Sequence, residues 1–278
     1  MKKAIQIAYN DMFAIKCAYA AQAGFQHIAV NFTEVNHKTE KEWAAVTEDI
    51  QSILDKTNLK CVQSHLYYYD LRLSSEIRED FHEFDIKQSI IATAKLGGDW
   101  CVCHPRTSIT SGYSSHKALE DNREDLSEYL ECAVKAGTGI AVENLPVFPG
   151  IIPVIPFYSS NYHDLIELVD SFQDTHLQIC WDFGHANMMD FNQAEAIRCA
   201  GERIVCTHIH NNFKRSDEHL PPDIGTIDWQ AVMTAMKDNG FDGPLTLETH
   251  CLYPNTELLK SFARYNFVCL EYLEKFFL

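Results

Sequence analysis

Basic residues are scarce in this chain. Its 278 residues contain 23 Lys and Arg against 39 Asp and Glu, which gives a formal net charge of −16. Neutralisation of phosphates by Lys and Arg dominates protein binding to nucleic acids and to anionic membrane surfaces. The charge balance therefore argues against both kinds of partner.

Long apolar runs and export signals are lacking too. No apolar run approaches the roughly 20 residues of a membrane span. The first apolar stretch meets Asn10 and Asp11 too soon for a signal peptide. None of the ten cysteines forms a C-x-x-C pair, and several lie within apolar segments, as buried thiols do. We therefore expect a cytoplasmic protein without a disulfide framework.

The main positive feature is a regular alternation of short apolar runs with longer helical stretches. The runs are continuously apolar, which is typical of parallel strands that are covered on both sides. No glycine-rich phosphate loop follows any run, which argues against a Rossmann or P-loop site. The sequence predicts a single-domain (β/α)8 TIM barrel over residues 1–278, with a doubly wound open sheet as the alternative. The expected strands are residues 3–8, 27–32, 59–66, 100–104, 139–144, 177–183, 203–208 and 244–248.

Acidic residues and histidines occur where six consecutive predicted strands end. In a parallel barrel all these positions lie at the carboxyl-terminal face, where catalytic groups of such barrels sit. Each of the residues in question closes or directly follows its run: His65, His104, Glu143, Asp182, His208 and Glu248. The pattern predicts one functional site at the mouth of the barrel.

Three of these residues are carboxylic acids that would meet in a partly desolvated pocket. Glu143, Asp182 and Glu248 would repel one another and take up protons unless a cation lay between them. With His208 they form a mixed oxygen and nitrogen set for one divalent metal ion, which suits manganese or zinc, and also cobalt or magnesium. His210 alternates with His208 along the strand, so we expect it to point to the other face and to be structural.

Other polar residues near the predicted mouth are candidates for substrate contacts. His65, His104 and His185 are expected to contact substrate, and His185 is also a candidate second-metal ligand. Arg106, just after His104, is a candidate anchor. Tyr67, Tyr68 and Tyr69 follow the third strand, and they either line the pocket or pack elsewhere.

An apolar, proline-rich loop follows the fifth strand. The loop at 146–158 either covers its own barrel, closes over substrate or contacts a second subunit. Together with the Phe276-Phe277-Leu278 end, it makes a homo-oligomer a possibility.

Several motifs together resemble the xylose isomerase-like TIM-barrel superfamily. They are VENL at 142–145, WDFGHAN at 181–187, HIHNN at 208–212, GTIDW at 225–229 and LTLE at 245–248. This superfamily includes sugar isomerases and epimerases, related dehydratases, and DNA-repair enzymes of the endonuclease IV type.

The resemblance implies a metal-dependent enzyme that acts on a small carbohydrate by proton transfer beside a carbonyl, through an enediolate. It implies Glu143, Asp182, His208 and Glu248 as metal ligands, with the two glutamates as catalytic acid and base. Lys214 matches a basic substrate contact of such relatives.

Two alternatives stay open within the superfamily. A dehydratase acting on an inosose or a dehydroshikimate would use the same metal and base. An endonuclease IV-like enzyme would hold three zinc ions with nine ligands, and this chain offers a candidate for each, with Asp217 and His219 as additional metal ligands. The scarcity of Lys and Arg disfavours the DNA-repair alternative.

Overall fold

In the computed structural model, eight parallel strands form a nearly closed barrel with helices between them. The structure describes residues 1–67, 80–107, 114–147, 157–251 and 255–277. Hydrogen-bonded neighbours follow the order β7-β6-β5-β4-β3-β2-β1-β8. The strands are β1 Lys3–Ala8, β2 His27–Asn31, β3 Lys60–His65, β4 Trp100–Cys103, β5 Gly139–Glu143, β6 Leu177–Asp182, β7 Ile204–His208 and β8 Leu245–Leu247.

The seam between β7 and β8 is closed by a few specific hydrogen bonds. The amide of Ile209 donates to the carbonyl of Thr246 at 2.7 Å, and the amide of Glu248 donates to the carbonyl of Ile209 at 3.0 Å. The hydroxyl of Thr207 adds a bond to the carbonyl of Pro244 at 3.0 Å. These contacts join the two ends of the sheet, so the predicted TIM barrel is confirmed and the open-sheet alternative is wrong.

Helices cover the outside of the barrel, and local sequence signals set their ends. Thr39 and Glu42 form a reciprocal capping box at the start of α2, and Asn58 ends that helix in the left-handed conformation. Among the described residues the α-helices are α1 Phe13–Ala23, α2 Glu40–Thr57, α3 Asp80–Lys95, α4 Ser115–Ala136, α5 Tyr162–Asp170, α6 Phe183–Asn187, α7 Gln193–Ala200, α8 Trp229–Asp238 and α9 Thr256–Glu274.

The apolar core is divided by the sheet because successive strand residues point to opposite faces. The larger part lies between strands and helices, and the smaller part inside the barrel contains Val102, Ala141, Cys180 and Cys206. Gln63 crosses the barrel interior, donating to the carbonyl of Thr207 at 3.3 Å and accepting from the hydroxyl of Thr246 at 2.8 Å. The barrel is therefore filled, and open space for a ligand lies at its mouth.

Helix α9 is followed by a 3-10 turn, Lys275–Phe277. Tyr68, Tyr69, Leu278 and residues 148–156 of the proline-rich loop lie outside the described residues. Within the described ranges, no helix combines the length and the apolar character that crossing a membrane requires.

Candidate functional site

The four predicted metal ligands converge at the carboxyl ends of the last four strands. Glu143, Asp182 and His208 are the final residues of β5, β6 and β7, and Glu248 directly follows β8. Each contributes one potential ligand atom, and these four atoms all lie within 4.8 Å of one another. The structure thus brings together the set that charge and strand position predict; we refer to these four residues as the central cluster.

Contacts within the central cluster are close and shielded from solvent. His208 Nδ1 lies 3.2 Å from Glu143 Oε1 and 3.2 Å from Glu248 Oε2. Asp182 Oδ2 is 3.9 Å from the same nitrogen. The side chains of His208 and Asp182 have no exposed surface, and that of Glu248 is 11% exposed. Electrostatic interactions are therefore strong here, because water screens them little.

The ionisation of the central cluster follows from this crowding. Burial lowers the pKa of His208, but Glu248 and Glu143 raise it to about 10. Burial raises the pKa of Glu143, but His208 and His104 hold it well below its usual range. Burial likewise raises the pKa of Glu248, yet His208 and His219 lower it to about 2. Without a metal ion, a protonated histidine thus compensates three buried carboxylates.

Unpartnered polar atoms test whether these residues fit a metal ion. Among the residues that the structure describes, neither ring nitrogen of His208 has a hydrogen-bond partner, and Glu143 Oε2 has none either. Buried polar atoms without partners are rare in folded proteins and call for a specific explanation. A divalent cation would supply the missing partner, and three carboxylates with one imidazole match the ligands that such ions take. The four residues of the central cluster therefore fit a divalent metal ion.

A second cluster shares Glu143 with the first. His65 Nε2 lies 3.1 Å from His104 Nε2, and Glu143 Oε2 is 3.3 Å from His104 and 3.6 Å from His65. The Nδ1–H of His65 donates to the carbonyl of Leu66 at 2.9 Å, since a carbonyl only accepts. The lone pair of His65 Nε2 is therefore directed toward Glu143, an orientation typical of metal-binding histidines.

A third cluster contains His185, His210, Asp217 and His219. His185 Nδ1 donates to the carbonyl of Asn144 at 2.9 Å, and its Nε2 lies 3.2 Å from Asp217 Oδ2. His219 repeats this arrangement. Its Nδ1 donates to the carbonyl of Glu248 at 2.8 Å, and its Nε2 lies 3.0 Å from the same Asp217 oxygen. Each Nε2 therefore faces a carboxylate oxygen, which requires either a second proton on the ring or a cation between them.

Without a cation, His185 and His219 of the third cluster carry the second ring proton. Burial lowers the pKa of His219, but Asp217 and Glu248 raise it to about 9. The two histidines in turn hold the pKa of Asp217 well below its usual range, against the effect of burial. Asp217 and His219, predicted as additional metal ligands, are thus brought together with His185.

The structure corrects the prediction for His210. Instead of pointing to the other face, its ring is fully buried, with Nε2 3.0 Å from Asp182 Oδ1. The expectation was wrong because residues two positions apart on an extended chain share a face, so His210 follows the direction of His208. Ile209, between them, bridges to Leu247 of β8 and so continues the sheet.

Arg106 pairs with two acidic residues of α4. Its Nε lies 3.0 Å from Asp125 Oδ2, and its Nη2 lies 3.7 Å from Asp121 Oδ1, both on α4. Its backbone amide donates to Asn122 Oδ1 at 2.6 Å. The guanidinium is buried in these contacts and anchors the segment after β4. Its expected role as a substrate anchor stays a prediction.

Lys214 lies on the surface with a left-handed backbone. Its amide donates to Asn212 Oδ1 at 3.1 Å, and the residue lines a groove with Asn187 and Thr226. No described contact joins Lys214 to the three clusters. Its expected role in substrate binding stays a prediction.

Sequence reasoning missed Gln6 on β1. Its Nε2 donates to Glu248 Oε1 at 2.5 Å, which orients one of the two predicted catalytic carboxylates. The available signal was a single amide within the apolar run AIQIA.

Asn144 was also missed. It braces Asp182 by donating to its carbonyl at 2.9 Å and accepting from its amide at 2.7 Å.

Comparisons with known proteins agree with this architecture. Residues 17–265 match the family model of the xylose isomerase-like TIM barrel. An uncharacterized protein of Methanocaldococcus jannaschii is 32% identical over 168 residues, covering 59% of this chain and 55% of that protein. A D-psicose 3-epimerase of Enterocloster bolteae is 29% identical over 140 residues, covering 50% of this chain and 42% of that protein. The matches thus span about half the length of these relatives.

Among solved structures, the apo form of a 3-keto-D-glucoside 4-epimerase from E. coli superimposes with a TM-score of 0.75 at 18% identity, covering 99% of both chains. At this identity the likeness concerns the fold alone. The family match covers most of the chain and includes the residues of all three clusters. The chain belongs to the xylose isomerase-like TIM barrel family.

Proposed function

We propose that the protein is a divalent-metal-dependent isomerase or epimerase of a sugar or sugar derivative, which transfers a proton beside a carbonyl through an enediolate. The observation that carries this proposal is the placement of Glu143 and Glu248. Both carboxylates lie 3.2 Å from the same nitrogen of His208, and both are shielded from solvent. Two ionised, buried carboxylates beside one ligand-binding position are what an enzyme needs to remove and return a proton.

The proposed cofactor is one divalent ion, Mn²⁺ or Zn²⁺ first and Co²⁺ or Mg²⁺ as alternatives, held by the central cluster. Such an ion would polarise a substrate carbonyl and stabilise the negative charge that develops on its oxygen. Names of similar proteins support a carbohydrate substrate, since the E. bolteae and E. coli proteins are both sugar epimerases.

In this proposal Glu143 and Glu248 exchange a proton with the substrate carbon from opposite sides. Gln6 holds Glu248 Oε1, which leaves Oε2 on the side of His208. His208, His104 and His185 lie around Glu143, and together they keep its carboxylate ionised. Because one carboxylate removes the proton and the other returns one, the returned proton comes from solvent, and the substrate carbon should take up deuterium in D2O.

Solvent isotope exchange tests the proposal. Manganese-loaded protein in D2O is incubated with a panel of ketoses and inososes, and deuterium incorporation beside the carbonyl is followed by NMR. E143Q and E248Q should each lower incorporation by about 10²–10⁴-fold, since each removes an acid–base group. The control E202Q changes an exposed glutamate outside the three clusters and should retain activity. Undiminished exchange in both active-site variants would refute the two-carboxylate mechanism.

The presence of three clusters favours a second candidate, a trinuclear zinc enzyme of the endonuclease IV type. All nine residues that this pattern requires occur in the three clusters, which also include His210. The net charge of −16 opposes binding to duplex DNA. Metal stoichiometry and incision of an abasic duplex separate the two candidates. Three tightly bound zinc ions together with incision would replace the epimerase proposal.

A further inference from the structure

A cavity of about 220 Å³ adjoins the central cluster between α1 and α9. Glu248 is a member of both, so a molecule in the cavity would lie against one of the proposed catalytic carboxylates. Ile5, Leu259 and Phe262 contribute apolar walls. The mechanism above assigns no role to this space, although it adjoins one of the proposed bases.

Two polar groups of this cavity have unused binding capacity. Gln6 donates an amide hydrogen to Glu248, so its Oε1 faces elsewhere, and this buried oxygen has no hydrogen-bond partner among the described residues. Asn31 accepts from the amide of Thr33 at 2.8 Å through its Oδ1, and its NH2 group makes no hydrogen bond within the described part of the chain. A sugar hydroxyl both donates and accepts, so it would complement an unpaired amide oxygen beside an unpaired NH2 group.

Lys16 of α1 adds a charge to the cavity. It is half-buried, and no carboxylate of the described residues lies within ion-pair distance of its Nζ. A lysine that lines a cavity without a protein partner is available to an anionic ligand.

We propose that this cavity receives the non-reacting end of the substrate, and that Lys16 selects sugars whose far end is a carboxylate. The inference rests on the proposed function and specifies its substrate class as a keto sugar acid. Lys16 is the single Lys or Arg among the described residues that line the cavity. One ammonium group matches a carboxylate, whereas a phosphate of about −1.5 to −2 charge calls for more donors.

Three ligands of the same carbon skeleton test the proposal. D-Fructose, D-fructuronate and D-fructose 6-phosphate differ only in the terminal group, which is neutral, a carboxylate or a phosphate. Their dissociation constants for the manganese-loaded full chain are measured by calorimetry. Wild-type protein should bind fructuronate about tenfold more tightly than fructose, which is what one charge-assisted hydrogen bond supplies.

Substitution at Lys16 gives the decisive comparison. K16M should reduce this ratio to below about threefold, whereas K16R should retain most of it. K56M is the matched control, because Lys56 is exposed near the end of α2 and has no described ion pair, and it should keep the wild-type ratio. Thermal unfolding checks that each variant is folded.

Each outcome bears on the proposal. Fructuronate binding that is absent, or no tighter than fructose binding, overturns it, as does a preference that persists in K16M. A preference for the phosphate that depends on Lys16 overturns the carboxylate assignment. Deuterium exchange on the same samples separates the two proposals. A Lys16-dependent ratio without exchange on any sugar refutes the function, whereas exchange without such a ratio refutes only the present inference.

Discussion

Removing divalent metal is expected to make the stability of this protein depend on pH through His208. When a chelator has removed the metal ion, the three buried carboxylates around His208 raise the pKa of its imidazole to about 10. A histidine whose folded-state pKa is raised stabilises the fold fully below its unfolded pKa of about 6.5, and this stabilisation is lost as the pH rises to the folded value. The metal-free protein should therefore weaken steadily from about pH 6.5 to pH 10.

The size of the effect follows from one proton. At pH 7 the unfolded chain has already lost most of the His208 proton, whereas the folded chain keeps most of it up to pH 9, so the free energy of unfolding falls by about 2.5 kcal/mol between these pH values. For a chain of this length, that corresponds to a fall in Tm of roughly 5–10 °C. His219, with a pKa raised to about 9, acts in the same direction.

Differential scanning calorimetry in chelator at pH 7, 8 and 9 measures this slope. H208Q should lose the contribution of His208 and show a smaller fall in Tm. Wild-type protein saturated with Mn²⁺ should also show a smaller fall, because a metal-bound imidazole carries no titrating proton. An unchanged Tm of metal-free wild-type protein from pH 7 to pH 9 would refute the electrostatic account of the central cluster.

Further predictions concern residues around the clusters. Q6L removes the amide that orients Glu248, so kcat should fall about 10–100-fold while Tm changes little, as steady-state kinetics and calorimetry would show. R106M removes a cation that lies 3.0 Å from buried Asp125, so denaturant titration should show a loss of about 3–5 kcal/mol, and a KM that also rises would support the expected role of Arg106 as a substrate anchor. G184A places a methyl group within 1.9 Å of the His210 ring, so urea unfolding should show a loss of about 1–3 kcal/mol, and wild-type stability in this variant would contradict the close packing of Gly184 against that ring.

The sequence predicted the features that follow directly from the type of residue and its position on a strand. Apolar runs predicted all eight strands to within a few residues, because a strand covered on both sides must be apolar throughout. The central cluster followed in the same way, since parallel strands bring their carboxyl ends to one face. The expected burial of Cys17, Cys61, Cys180, Cys206 and Cys269 is confirmed.

Sequence reasoning was uninformative where the direction of a side chain depends on contacts far along the chain. Arg106 turns toward Asp121 and Asp125, and no local pattern indicates that α4 lies beside it. The five-residue helix α6 was not expected because its cap, Asp182, also belongs to the central cluster, and Asp182 Oδ1 accepts from the amide of His185 at 2.6 Å.

Metal titration of chelator-treated protein tests the central claim most directly. Calorimetry with Mn²⁺ at about pH 7.5, repeated in buffers of different ionisation enthalpy, should show tight binding at the central cluster. Binding should release one proton, because His208 is protonated at this pH in the metal-free protein. H208Q and D182N should each weaken this binding by at least about tenfold, since each removes a ligand. Wild-type protein that binds no Mn²⁺, or variants that bind it as tightly as wild type, would contradict the account.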